Sequence, residues 1–245
     1  MKPVLYTFPI SHFSEKARWG LDIATYDYEL HPLVPGQHVT FLKQIVPDTY
    51  VPILKDGDTI IQGSGVILDL VDSKAFASPS TTEEKEWESR IDHEIGKNLQ
   101  TILYSFILDY PTIVGKLFQA DPPKKEEQTI IPEHYDLIAM VSRRRYKITP
   151  KNVEAAKESF AGLAKEMQSR YAKSKFFNGT SFGRVDLTIA SLTSAFALAE
   201  EYPGTPWFRA VEMPESFHAW QDSVGMKPLL DRVREFYKEF RNHSK

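Results

Sequence analysis

The sequence predicts a protein of two parts, an N-terminal α+β domain with the element order β-α-β-α-β-β-α and an all-helical C-terminal domain. In the N-terminal part, short apolar runs alternate with segments of helical periodicity. Beyond residue 85, apolar residues recur at spacings of three and four, and no segment is typical of a strand. The stretch 73–85 loses periodicity and gains Ser, Thr and Pro, which indicates a linker. We therefore expect domains at 1–74 and 84–245.

Seven elements are predicted for the N-terminal domain. In chain order they are a strand at 3–8, a helix at 12–25, a strand at 28–33, a short helix at 38–46, two strands at 51–55 and 59–61, and a helix that begins at 64. The two apolar runs on either side of the Asp56-Gly57 turn are typical of a β-hairpin. The first β-α-β unit predicts parallel strands joined by a right-handed crossover, and the hairpin adds antiparallel neighbours.

The C-terminal domain is predicted to contain helices alone. Helical stretches are expected at 84–108, 133–147, 149–171, 187–199 and 229–240, with an irregular surface excursion at 110–131. Thr149 is predicted to cap its helix, with Pro150 as the first helical residue, where its missing N–H costs nothing. The segment 187–199 is apolar or small on every face, so we expect this helix to be buried at the centre of the domain.

Composition and charge exclude several classes of function. A net charge of −3 over 245 residues gives no electrostatic reason to expect nucleic acid or an anionic membrane as a partner. The absence of cysteine excludes disulfides, thiolate metal sites and a cysteine nucleophile. No apolar run approaches the ~20 residues that cross a bilayer, and the start of the sequence shows no basic-then-apolar leader. We therefore expect a cytoplasmic protein without a metal. Arg143-Arg144-Arg145 is expected to be a solvated helix face, with a ligand-facing role as the alternative.

The segment from Phe8 to Trp19, FPISHFSEKARW, is the strongest candidate for a functional site. It leads from the first strand into the first helix and places Ser11 and Ser14 at the mouth of that helix. The first-turn N–H groups of a helix are unpaired, and its dipole adds about half a positive charge, so this position can hold an anion. Ser11 is equally typical of a helix N-cap, and both interpretations stay open. His12 is predicted to be a solvent-facing loop histidine, with a position facing the site as the alternative.

Val51-Pro52 marks a second candidate position, at the start of a predicted strand. A proline there cannot donate to the strand ladder, and the Val–Pro bond is either cis in a tight turn or trans at a sheet edge. If the bond is cis, the backbone N–H and carbonyl of Val51 are free to pair with an extended ligand. The residues alone leave both forms open.

In their order and spacing, these motifs resemble the cytosolic glutathione transferases over essentially the whole chain. Ser11 lies seven residues before Arg18, the distance at which the serine- and cysteine-type classes carry their catalytic residue. Val51-Pro52 resembles the cis-proline motif that contacts the cysteinyl backbone of glutathione. The segment Ser64-Gly-Val-Ile67 resembles the Ser-x-x-Ile pattern that binds the γ-glutamyl carboxylate. Asp186 resembles the capping-box acid of the C-terminal domain. The SHFSEKARW string is similar to a less-studied branch of the family.

The resemblance implies a thioredoxin-like N-terminal domain, a serine-type enzyme, glutathione as co-substrate and a homodimer. Thr7 occupies the position of the catalytic residue of the tyrosine-type classes, and Tyr6 points to the opposite face of the strand. Ser11 is therefore the expected catalytic residue, with Ser14 as the alternative donor. The glutathione-binding set implied by the family is His38, Val51, Pro52, Gln62, Gly63 and Ser64. Gly63 is a departure, because many members carry Glu or Gln there.

The expected chemistry is attack by the sulfur of glutathione on a hydrophobic electrophile, because the protein has no thiol of its own. An electrophile pocket is expected between the domains. Its candidate lining residues are aromatic: Tyr104, Phe106, Tyr110 and Trp207. Two other functions stay open from the sequence, a non-catalytic binding or interaction module and a glutathione-dependent peroxidase or isomerase.

Overall fold

The N-terminal domain is built on a four-stranded mixed sheet in the computed structural model, which describes residues 2–124, 131 and 133–241. The strands are β1 (Val4–Thr7), β2 (Glu29–Pro32), β3 (Ile53–Asp56) and β4 (Thr59–Gln62). Their order in the sheet is β2-β1-β3-β4. β1 is parallel to β2, and β3 is antiparallel to both β1 and β4. The predicted β-α-β unit and hairpin are confirmed.

Three helices complete this thioredoxin-like domain, namely α1 (His12–Ile23), α2 (His38–Leu42) and α3 (Ser64–Ala75). Successive strand residues point to opposite faces, so Leu5 and Tyr6 of β1 enter different cores. Leu5 joins the large core with residues of α1 and α3, whereas Tyr6 joins a smaller cluster with Leu42 of α2. The sheet thus lies between α2 on one side and α1 with α3 on the other.

The C-terminal part of the described chain is helical. Its α-helices are α4 (Thr82–Ile91), α5 (Asn98–Ile107), α6 (Pro111–Leu117), α7 (Tyr135–Arg145), α8 (Pro150–Tyr171), α9 (Arg184–Leu192), α10 (Ser194–Ala197), α11 (Thr205–Arg209), α12 (Glu215–Val224) and α13 (Lys227–Phe236). A π-helical segment, Asp92–Lys97, joins α4 to α5, and a second, Tyr237–Arg241, follows α13. No described helix is both long enough and apolar enough to span a bilayer.

The helix α9 lies at the centre of the helical domain, and all nine of its residues are buried. This confirms the buried helix predicted from the sequence, although α9 ends at Leu192. Asp186 caps it by accepting a hydrogen bond from the Gly183 N–H at 3.0 Å. The same carboxylate accepts the Phe177 N–H at 2.9 Å and the Tyr171 hydroxyl at 2.8 Å. Gly183 has no side chain to complete a reciprocal box, so the carboxylate alone stabilises this helix end.

The prediction of an irregular excursion at 110–131 is wrong for the first third of that segment, which forms α6. Pro111 is the first residue of that helix, where its fixed φ suits the helical backbone. Val114 and Leu117 lie on the buried face of this helix. The helix is so short that its few apolar residues do not form a periodic pattern from which it could be predicted. Residues 125–130 of the same predicted excursion lie outside the described residues. The predicted cap of α8 is confirmed, because the Thr149 side chain accepts the Asn152 N–H at 3.3 Å.

A buried cation links the two domains. Lys16, on α1, is completely buried, and its Nζ lies 2.6 Å from Glu88 Oε1 on α4 and 2.6 Å from Asp92 Oδ1. A buried charge is tolerated only when it is paired and hydrogen-bonded. The carboxylates that satisfy Lys16 therefore tie α1, which begins at Ser11, to the helical domain.

Arg184 forms a second buried link between the domains. It is 2% exposed at the start of α9, and its Nε lies 2.5 Å from Glu88 Oε2. Its Nη1 donates to Asp72 of α3 at 3.1 Å, and its Nη2 donates to the Gly65 carbonyl at 2.9 Å. The guanidinium therefore holds the first turn of α3 against the helical domain.

Candidate functional site

Ser11 lines a cavity of about 310 Å³ between the two domains. The N-terminal domain also contributes His38 and Val51 to its wall, and the helical domain contributes Tyr104 of α5 and Arg145 of α7. The structure thus brings together residues that lie up to 138 positions apart, from Phe8 to Tyr146. A groove between domains with a few polar groups on an apolar wall is typical of a small-molecule site.

The hydroxyl of Ser11 caps α1 and keeps its own hydrogen for a ligand. The residue is extended (φ −74°, ψ 115°), and its Oγ accepts the Ser14 N–H at 3.2 Å. A serine hydroxyl has two acceptor lone pairs and one donor hydrogen, so capping leaves the donor free. The cap and the anion-binding interpretations of this serine are therefore compatible.

Ser14 lies on a different cavity. It is 3% exposed, and its Oγ has no hydrogen-bond partner among the described residues. Ser14 lines a small space of about 160 Å³ with Arg18 and Trp207. The two serines that the sequence offered as alternative donors therefore do not line the same cavity.

His38 begins α2 on the wall of the Ser11 cavity. Its Nδ1 accepts the Gly36 N–H at 3.0 Å, and its ring meets the edge of Phe8 with centroids 4.7 Å apart. Burial lowers the pKa of His38 below its ordinary value, and the positive charge of Arg145 acts in the same direction. The imidazole is therefore neutral at pH 7 and is held in position by its backbone contact.

The loop before β3 is connected to the start of α3. The Val51-Pro52 bond is cis, which decides between the two forms that the sequence left open. The Pro52 carbonyl accepts the Gly63 N–H at 3.0 Å. The Gln62 side chain donates from Nε2 to the carbonyls of Asp48 (2.6 Å) and Tyr50 (2.8 Å). Gln62 thus supports the loop that carries Val51.

Ser64 is the buried first residue of α3, and Gly63 is its N-cap. Gly63 has φ +99°, a conformation that favours glycine, although no atom would lie within 4 Å of a Cβ there. The first-turn N–H groups of α3 lack intrahelical partners and face an anion favourably. The Gly65 carbonyl in this turn is held by Arg184 at 2.9 Å.

Of the four aromatic residues predicted for the electrophile pocket, the structure brings Tyr104 to the Ser11 cavity. Tyr104 stacks on Tyr146, with centroids 4.4 Å apart and planes 17° apart. Phe106 packs against Phe217 and Trp220 instead, because residues two apart on a helix face different sides. The other two lie elsewhere: Tyr110 is 45% exposed beside α6, and Trp207 lines the Ser14 cavity.

The sequence did not place α7 at the site. Arg145 and Tyr146 line the Ser11 cavity, whereas Arg143 pairs with Asp109 at 2.7 Å on the surface. Arg144 and Arg145 are exposed, as expected for a solvated helix face, and Arg145 also borders the cavity. Consecutive helix residues point about 100° apart, so three arginines in a row cannot share one face. The sequence therefore indicates that the three arginines lie on different faces of the helix. Which of them lines the cavity depends on tertiary packing.

His12 is buried, so its prediction as a solvent-facing histidine is wrong. Its Nε2 lies 3.1 Å from the carbonyl of Gly96 in the first π segment, and its ring packs on Phe13 at 4.6 Å. Burial lowers the pKa of His12 to about 4. His12 therefore joins α1 to the helical domain as a neutral donor.

Acidification is expected to weaken the fold through His12. Between pH 6.5 and about 4, the unfolded histidine binds a proton that the native one excludes, so stability falls as pH falls. The slope approaches ~1.4 kcal/mol per pH unit for one proton. Urea denaturation of the wild type and His12→Gln at several pH values measures how the free energy of unfolding changes with pH. Burial raises the pKa of Asp186 to about 6, so this residue makes the native state more stable as the pH falls. Both proteins contain Asp186, so its contribution cancels in the difference between them.

The expected outcome is that the stability difference between the wild type and His12→Gln shrinks steadily as the pH falls from 7.5 to 4.5. Parallel curves over that range would show that His12 takes up its proton in the native state as readily as in the unfolded state.

The described residues contain no group of three or more His, Asp or Glu that could hold a metal ion. The polar side chains of the Ser11 cavity are instead three aliphatic hydroxyls, three phenols, an imidazole and a guanidinium, contributed by Ser11, Thr49, Ser142, Tyr50, Tyr104, Tyr146, His38 and Arg145. This set can donate hydrogen bonds to an anion or to a polar ligand. It suits chemistry in which the ligand itself supplies the nucleophile.

Comparison with known proteins connects this geometry to a family. Residues 5–79 match the family model described as Glutathione S-transferase, N-terminal domain. A comparison of the sequence with curated proteins gives no match. Solved structures over nearly the full length, in contrast, are similar in fold.

Three of these structures illustrate the likeness. Beta-etherase LigF from Sphingobium sp. strain SYK-6 is 18% identical with a TM-score of 0.59, over 96% of this chain and 99% of that chain. Glutathione transferase GSTFuA3 from Phanerochaete chrysosporium is 13% identical with a TM-score of 0.60, over 98% of each chain. Maize glutathione S-transferase I, in complex with an atrazine glutathione conjugate, is 18% identical with a TM-score of 0.53, over 98% of this chain and 99% of that chain.

Identities this low establish the fold and leave the activity open. The thioredoxin-like domain with its mixed sheet and the helical domain that follows are those of the glutathione transferases. Residues 5–79 thus match the N-terminal domain of the glutathione S-transferases, and the chain as a whole shares the fold of solved glutathione transferases.

Proposed function

We propose that the protein is a glutathione transferase in which Ser11 activates the glutathione thiol for attack on a hydrophobic electrophile. The observation that carries this proposal is the position of Ser11. Its hydroxyl lines the interdomain cavity at the N-terminus of α1, accepts a backbone N–H, and keeps its hydrogen for a ligand. The family match of residues 5–79 supports glutathione as that ligand.

Glutathione would lie along the N-terminal wall of the cavity. In this proposal the backbone of Val51 pairs with the cysteinyl part, while Ser64 and the first turn of α3 hold the γ-glutamyl carboxylate. His38, Gly63 and Pro52 complete the binding surface. Gln62 acts through the loop that it supports, because its amide nitrogen is already bonded to two carbonyls.

Activation of the thiol is the chemical task of Ser11. A free thiol has a pKa near 8.5, so little thiolate exists at neutral pH. A hydrogen bond from the serine hydroxyl and the positive end of the α1 dipole both favour the anion. Lowering the pKa by about two units corresponds to about 2.7 kcal/mol, which a charge-assisted hydrogen bond and the dipole together can supply.

Once formed, the thiolate attacks the electrophile. Its sulfur lone pair forms the new carbon–sulfur bond, and the electron pair of the broken bond leaves with the departing group, while the thiol proton passes to solvent. Maize glutathione S-transferase I holds an atrazine glutathione conjugate, a product of this type of reaction. LigF, similar in fold, is a beta-etherase. We extend the proposal to a cytoplasmic homodimer acting in detoxification, as the resemblance implies.

Calorimetric titration tests whether the protein binds glutathione, as the proposal requires. We expect saturable binding at sub-millimolar to millimolar ligand, with Ser64→Ala weaker because its hydroxyl and the order of the first turn of α3 are disturbed. Lys151→Ala, at an exposed position of α8, is the matched control and is expected to bind as the wild type does. Absence of binding at millimolar glutathione would contradict the enzyme and favour a non-catalytic module.

A further inference from the structure

The wall that α7 gives to the Ser11 cavity combines an apolar surface with one cation. Leu137, Ile138 and Val141 line the cavity along α7, and Arg145 lines it at the last turn. The stacked rings of Tyr104 and Tyr146 border the same space. An apolar and aromatic wall that ends in a guanidinium matches a ligand with an apolar body and a negative charge at one end.

The charge of Arg145 is not balanced within the cavity. No acidic side chain among the described residues lines this space, whose charged or ionisable groups other than the tyrosines are His38 and Arg145. Arg143, two residues earlier, pairs with Asp109 on the surface, while no described carboxylate forms an ion pair with Arg145. Arg145 and His38 line the same cavity, and the positive charge of Arg145 lowers the pKa of His38. A bound anion would be the partner of this guanidinium.

The two substrates have different places in the proposed site. Glutathione is assigned to the N-terminal domain, where Val51 lines the cavity and the first turn of α3, which is not part of the cavity lining, provides a helix N-terminus. Arg145 belongs to the helical domain, on the wall with Tyr104 and the apolar residues of α7. The anion that Arg145 meets is therefore carried by the second substrate.

Resting on the function proposed above, we propose that the electrophile is an amphipathic acid whose aromatic or apolar body packs against α7 and Tyr104 and whose carboxylate binds Arg145. A guanidinium presents paired N–H donors that match a carboxylate in two parallel hydrogen bonds. Because Arg145 is exposed, the contact is partly hydrated, and its contribution is expected to be about tenfold in kcat/KM.

The test compares a chloronitrobenzoate with the neutral chloronitrobenzamide of the same substitution pattern. For each, kcat/KM is divided by the uncatalysed rate with glutathione, which removes the difference in intrinsic reactivity. The wild type is expected to favour the benzoate. Arg145→Gln is expected to lower the benzoate-to-benzamide ratio about tenfold, through a higher KM for the benzoate. Arg144→Gln removes the same charge from a neighbouring exposed position that does not line the cavity, and its ratio is expected to stay at the wild-type value.

Two outcomes would overturn the inference. If Arg145→Gln lowers kcat/KM equally for both electrophiles, the guanidinium does not distinguish a charged from a neutral electrophile. A higher KM for glutathione with an unchanged ratio would mean that Arg145 binds a glutathione carboxylate instead. Calorimetry with the matching nitrobenzoate and nitrobenzamide, which lack the leaving chlorine, provides a readout independent of turnover. If neither electrophile reacts but the nitrobenzoate binds more tightly through Arg145, the proposed function fails while the inference about the anion stands.

Discussion

Replacing Ser11 with alanine is expected to lower kcat/KM for conjugation of a generic electrophile about 10- to 100-fold, while the affinity for glutathione changes little. The lost hydroxyl contributes a charge-assisted hydrogen bond to the thiolate, and such bonds contribute about 1.5–3 kcal/mol. Contacts to the remainder of glutathione, from Val51 and from the first turn of α3, are left in place. Steady-state kinetics together with calorimetry of glutathione binding measure the two effects separately.

The capping role of Ser11 requires a second variant. Its Oγ accepts the Ser14 N–H, so alanine also costs about 0.5–2 kcal/mol of helix stability, whereas glycine at an N-cap costs only a few tenths. Ser11→Gly is therefore expected to lose the activity with little loss of stability. Ser14→Ala is the comparison, with a smaller loss of activity expected because that hydroxyl lines the other cavity. Full activity in Ser11→Ala combined with an inactive Ser14→Ala would assign the role to Ser14.

The largest effect on stability is expected from Arg184→Met. The guanidinium is 2% exposed and bonds Glu88, Asp72 and the Gly65 carbonyl. Removing one member of a buried ion-pair network leaves uncompensated charge and typically costs about 3–5 kcal/mol. Guanidinium chloride denaturation measures the free energy of unfolding. The KM for glutathione is also expected to rise, because the first turn of α3 next to Ser64 loses its link to the helical domain.

Arg209→Gln provides the control for this prediction. Arg209 also forms a two-point pair with a carboxylate, that of Glu200, but both groups lie on the surface, where solvent screens the interaction. Its denaturation midpoint is expected to match the wild type. An Arg184→Met protein as stable as Arg209→Gln would show that the interdomain network does not hold the domains together.

The elements of the N-terminal domain could be predicted because their signals are local. Alternation places Leu5 and Tyr6 on opposite faces, and the Asp56-Gly57 turn joins β3 to β4 as expected. The cap of α1 at Ser11 is likewise a property of a few adjacent residues. In the helical domain, α9 could be predicted because every one of its faces is apolar or small.

The site is harder to predict, because a cavity is made by residues from distant elements. Nothing near Phe106 in the sequence shows that it packs on Phe217 while Tyr104 faces Ser11. For the same reason, the sequence does not show which residue of the 143–145 arginine run borders the cavity, because that depends on how α7 packs. His12 illustrates the opposite case, where a polar residue at a helix start is buried by a neighbouring domain.

An ultraviolet pH titration of the thiolate absorbance in the binary complex shows whether Ser11 favours the thiolate of bound glutathione. For the wild type, we expect an apparent thiol pKa about two units below the free value of about 8.5. For Ser11→Gly, the pKa is expected to return most of the way toward the free value. A wild-type complex with the thiol pKa of free glutathione, or the same lowered pKa in both proteins, would show that Ser11 does not activate the thiol.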